Sequence, residues 1–138
     1  MKLLRFIVLI LLSFASVQAM ARESVAVINH ANIAIQRPAG QLTADQVKQA
    51  IITAPAPRPW EFSAPEAGKL IATLNVRGKH TIVVDISYSA TAYSIAYRDS
   101  VNMNFKAGGA DGVGVIHPFY NRWVDELRDA IRLQLSKA

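Results

Sequence analysis

The chain contains no cysteine. This excludes disulfides, thiol catalysis, Cys-ligated zinc or iron–sulfur centres, and a lipid anchor on an N-terminal cysteine. Stability therefore has to come from packing. Acidic residues are few, ten against fifteen Lys and Arg, yet the cations are scattered, with Arg77-Gly78-Lys79 the only tight pair. A basic stripe interleaved with aromatics is missing, which argues against nucleic-acid binding. Beyond the N-terminus no apolar run is long enough to span a bilayer. The glycine-rich "GGADGVG" (108–114) is followed by Val115-Ile116, without the Lys and Ser/Thr that a phosphate cradle needs. It reads as a linker. His30, His80 and His117 have no paired spacing for a metal, and no G-x-S-x-G elbow is present. No cofactor or metal is expected.

The first nineteen residues have the layout of a secretory signal peptide. Lys2 and Arg5 precede the apolar run Phe6 to Leu12, and small residues follow, with Ala19 or Ala21 as the residue before the cut. Removing Lys2 and Arg5 lowers the formal charge from +5 to +3, so the computed pI of 9.8 overstates how basic an exported form would be. Export to the periplasm or outside the cell is expected, with no transmembrane span after cleavage.

Residues 20–41 read as an extended N-terminal strand or arm, and 42–138 as a single α+β domain. In "LTADQVKQAIITA", Thr43 and Gln46 form a capping box, and Leu42 can staple onto Val47. Val47, Ala50, Ile51 and Ala54 give one apolar face before Pro55 ends the helix. A proline-rich hinge, "APAPRPWEFSAPEAG", carries a short strand at Trp60–Phe62. Then Leu70/Ala72/Leu74/Val76, Ile82/Val84/Ile86/Tyr88 and Tyr93/Ile95/Tyr97 alternate cleanly. Short connections at 77–79 and 89–91 favour antiparallel pairing. The last helix opens at Pro118 with the stripe Tyr120, Trp123, Val124, Leu127, Ile131 and Leu135. The expectation is a two-layer α+β fold: an antiparallel β-meander of about four strands packed against an N-terminal and a C-terminal helix.

One stretch is chemically crowded. "YRDSVNMNF" (97–105) sets Arg98, Asp99, Ser100, Asn102 and Asn104 just ahead of the loop leading to His117 and Asn121. Turn chemistry accounts for most of this polarity. If the loop folds back, Arg98, Asp99, Asn102, His117 and Asn121 become convergent polar groups beside aromatic surface, the pattern of a small binding site. His117, held extended by Pro118, suits a helix cap.

"RPWEF", "ATLNVRGKHTIVVDISYSATAYSIAYRDSVNMNF" and "IHPFYNRWVDEL" resemble a family of small uncharacterised exported proteins of Gram-negative bacteria, periplasmic and often lipoproteins. The resemblance covers Arg58 to about Ile131 and departs at Met103 and Phe105, where the pattern prefers Leu and Tyr. It implies matching positions at Tyr97, Asp99, Ser100, Asn102, His117, Tyr120, Asn121 and Trp123, and it implies no activity.

The functional expectation is a non-enzymatic exported domain that binds a small ligand or a cell-envelope protein through Arg98, Asp99, Asn102, His117 and Asn121. Two alternatives stand beside it. One is a small hydrolase using His117 with Asp99 or Ser100. The other is a structural envelope protein that pairs through its "SVAVINHANIAIQ" strand by edge addition.

Overall fold

The structure, a computed structural model, describes residues 23–37, 39–108 and 112–138. The segment 1–19, expected to be a signal peptide, lies outside the described residues, as do 109–111 of the glycine-rich stretch. In chain order the elements are β1 (Val25–Ala26), β2 (His30–Ala34), α1 (Ala44–Thr53), β3 (Glu61–Glu66), β4 (Lys69–Val76), β5 (His80–Tyr88), β6 (Ala92–Val101), β7 (Val115–Ile116) and α2 (Phe119–Lys137). The fold is α+β. A five-stranded antiparallel sheet has the order β2-β6-β5-β4-β3, and β1 pairs with β7 in a two-stranded sheet.

β3 to β6 form the four-strand meander anticipated from alternation. β2 makes it five, because His30 and Ile33 pair with Ile95 and Tyr93 of β6. The N-terminal segment is therefore two strands instead of one extended arm. Between them the Ile28 N–H donates to Asn121 Oδ1 at 3.0 Å, and the Asn29 side chain accepts through Oδ1 from the Tyr97 backbone N–H at 2.9 Å. The proline-rich stretch also holds more strand than expected. β3 runs through Pro65, which a sheet tolerates at an edge, where one row of N–H groups has no ladder partner.

Period-two alternation decides what is buried. Leu70, Ala72, Leu74, Ile82, Val84, Ile86, Tyr93 and Ile95 share one core with Val47, Ala50 and Ile51 of α1 and with Tyr120, Trp123, Val124, Leu127, Ile131 and Leu135 of α2. The apolar stripes of both helices share one buried cluster with this face of the sheet, and α1 packs against β5 and against α2. The opposite face, with Thr73, Asp85, Ser94 and Arg98, is at least partly open to solvent. The two-layer arrangement follows from burying one apolar face against another.

The helix starts show how local chemistry fixes position. Thr43 Oγ1 accepts from Gln46 N–H at 3.1 Å, while Gln46 Oε1 accepts from Thr43 N–H at 2.9 Å, the reciprocal capping box. α2 begins at Phe119, one residue later than expected, because Pro118 takes the cap position in a helical conformation. The His117 ring does the capping, its Nδ1 accepting from Phe119 N–H at 3.1 Å. No helix among the described residues is long and apolar enough to cross a membrane.

Candidate functional site

The stretch Tyr97–Phe105 resolves into a set of local structural devices. The β5–β6 register shifts between Val83 and Val84, which oppose Asp99 and Tyr97, so Arg98 sits in a β-bulge. Arg98 bonds Asp85 at 2.9 Å on the open face of the sheet, a pair exposed enough to add little stability. Asp99 Oδ1 accepts from the Ser100 N–H at 2.8 Å. Ser100 Oγ lies 2.8 Å from Tyr97 Oη. Asn102 and Asn104 take φ of 56° and 53°, a left-handed region that asparagine tolerates better than most residues. They turn the chain so that Met103 enters the core and Phe105 stacks on Tyr97, with centroids 4.2 Å apart. Gly114 permits this stacking, since a Cβ there would stand 2.6 Å from the Phe105 ring.

Burial is the main cause that pushes the phenols of Tyr97, Tyr93 and Tyr120 above their ordinary value. For Tyr97 the Ser100 bond opposes the rise and Asp99 adds to it. For Tyr93, Arg128 and Arg132 oppose it. For Tyr120 the neighbouring Tyr97 adds to it. Tyr120 Oη is buried without a protein hydrogen bond. Its folded-state pKa lies above the unfolded value of about 10, so its stabilising contribution is complete below that pH and is lost as pH rises through it. Thermal melts between pH 9 and 11 should show falling stability. Tyr120→Phe should flatten that fall and, by removing an unsatisfied hydroxyl, stabilise the protein by about 1 kcal/mol at neutral pH. An unchanged alkaline slope in the variant would refute this.

Asn121 holds the N-terminal segment. Besides accepting from Ile28 N–H, it donates through Nδ2 to the Ala26 carbonyl at 2.9 Å. Asn121→Ala should cost about 1–2 kcal/mol through two lost hydrogen bonds. Hydrogen exchange should speed at Ile28 first. Equal acceleration across the whole molecule would contradict a local tether.

The five residues expected to converge are thus placed in three regions. Arg98 and Asp99 are at the bulge, with Arg98 paired on the open face. Asn121 clasps the N-terminal segment. Asn102 and His117 lie together at the end of the sheet, where His117 N–H donates to the Met103 carbonyl at 2.8 Å.

At that end there is a cavity of about 360 Å³, lined by Arg58, Val76, Arg77, Lys79, His80, Met103, His117, Phe119, Arg122 and Trp123. The β4–β5 hairpin forms one wall. Arg77 and Gly78 both have positive φ (57° and 64°), the pair that a type I′ turn needs. Lys79 N–H donates to the Val76 carbonyl, and Asn75 Oδ1 accepts from Gly78 N–H. Asn102 braces this tip: its Nδ2 donates to the Lys79 carbonyl, and its own carbonyl lies 2.8 Å from His80 Nδ1. The first turn of α2 forms the facing wall. Arg58 reaches across from the proline-rich segment, 5.4 Å over the Trp123 ring and 3.2 Å from Glu126. Glu126 also lies 3.7 Å from Arg122.

The cavity lining therefore brings together two arginines of the loops, a hairpin lysine, a helical arginine and two histidines, with no carboxylate among them. Glu126 partly neutralises Arg58 and Arg122. Among the described residues neither Arg77 nor Lys79 has an ion-pair partner. Val76, Met103, Phe119 and Trp123 supply an apolar side. Among the described residues no group of three or more His, Asp or Glu could hold a metal. Of this lining, sequence reasoning had singled out His117 alone as a site residue. The Arg77-Gly78-Lys79 pair was the available signal, and it read as a turn. Compared with protein families, curated proteins and solved structures, the chain matches none.

Proposed function

We propose that this protein is a non-catalytic binding domain whose site takes a small anionic ligand between the β4–β5 hairpin tip and the start of α2. The observation that carries this reading is the uncompensated positive charge around the 360 Å³ cavity. Like charges this close repel one another, and a bound anion relieves the repulsion. The hairpin brace through Asn102 supports it, because ordering the cations before binding lowers the cost of arranging them around a ligand. Calorimetric titration with pyrophosphate or citrate at low salt should give saturable binding of one anion per chain, weakening as salt rises. Absence of saturable heat with every multivalent anion would overturn the reading.

Export is part of the proposal. It is supported by the leader-like pattern at 1–19 and by the resemblance to small exported envelope proteins. Expression in a Gram-negative host should yield periplasmic protein whose N-terminus is Met20 or Arg22. Recovery solely as intact chain in the cytoplasm would contradict export and leave the anion site untouched.

A further inference from the structure

Resting on the anion-binding reading above, we propose that the ligand is a phosphate monoester carried on a compact apolar or aromatic body. The first argument is size. At about 360 Å³ the cavity falls in the range of small-molecule pockets. A bare oxyanion of five heavy atoms leaves more than half of that volume unfilled. The remaining space faces Val76, Met103, Phe119 and Trp123, which favour an apolar group over water.

The second argument is the direction of the charges. Arg77 and Lys79 come from the β4–β5 turn, Arg58 from the segment before β3, and Arg122 from α2. Donors arriving from three segments suit a tetrahedral head with three terminal oxygens. A carboxylate presents two oxygens in one plane. A dianion also answers the two unpaired cations at the hairpin, where a monoanion answers one.

The test is a calorimetric titration of the purified protein near pH 7 with phenyl phosphate, inorganic phosphate, phenyl sulfate and benzoate. Phenyl phosphate should bind about tenfold more tightly than each of the others. Equal affinity for inorganic and phenyl phosphate would overturn the apolar body. Equal affinity for phenyl phosphate and phenyl sulfate would overturn the dianionic head. In each case the anion site itself would stand, whereas no binding by any of the four, with none by pyrophosphate or citrate, would remove both.

Discussion

Replacing Arg77 and Lys79 together by alanine is expected to weaken anion binding by about 1–2 kcal/mol, roughly 5- to 30-fold, with no loss of fold. Both side chains are exposed, and neither has an ion-pair partner among the described residues, so their removal leaves no buried charge behind. Exposed charges are screened by solvent and salt, so about 0.5–1 kcal/mol is assigned to each here. The turn itself is held by Gly78, by the Asn75 carboxamide and by the backbone bond from Lys79 to Val76, and the double variant leaves all three in place. Calorimetric titration of the variant, beside an unchanged thermal melt, checks the expectation. Arg98→Ala provides the contrast. Its partner Asp85 is on the open face of the sheet, so anion affinity should change by less than about twofold.

Leu127→Ala is expected to destabilise the protein by about 3–4 kcal/mol, within the range for fully buried leucine truncations. Leu127 has no exposed surface and sits in the middle of the α2 stripe, in the core formed with the sheet and α1. The packed residues of β4 and β5 are held in their ladders and can close the gap only partly. For a domain of this size such a loss is a large fraction of total stability. Chemical denaturation with an unchanged m-value and a lowered midpoint is the predicted result. A cost below about 1 kcal/mol would mean that α2 is not seated on the sheet as described.

Much of the fold was legible because it rests on short-range rules. The capping box at Thr43 and Gln46 and the alternation through Leu70–Val76, Ile82–Tyr88 and Tyr93–Tyr97 concern neighbours in sequence, and the structure shows them as read. What escaped depends on distant partners. His30–Ala34 is a strand because β6 offers it an edge. Pro65 continues a strand because β3 happens to be the outermost one. The bulge at Arg98 was unreadable for a similar reason. Alternation predicts that Asp99 follows Tyr97 onto the same face, and the extra residue instead gives that place to Ser100, which bonds Tyr97.

The candidate site divides in the same way. His117 was marked by the proline after it, and Asn102 by its place in a polar turn. Arg58, Lys79 and Arg122 are separated by dozens of residues, and only the sheet and α2 bring them to one cavity. Isolated cations on separate elements look like ordinary surface in a sequence. The significance of Arg77 and Lys79 lies in what faces them, Phe119 and Arg122 at the start of α2, and no local pattern records that.

The most direct test of the account is a backbone amide NMR titration of the protein with pyrophosphate. Saturable shifts confined to Arg77–His80, Asn102–Met103 and Phe119–Trp123 are the predicted result. Saturable shifts centred instead on Asp85 and Arg98, or none at any position, would contradict it.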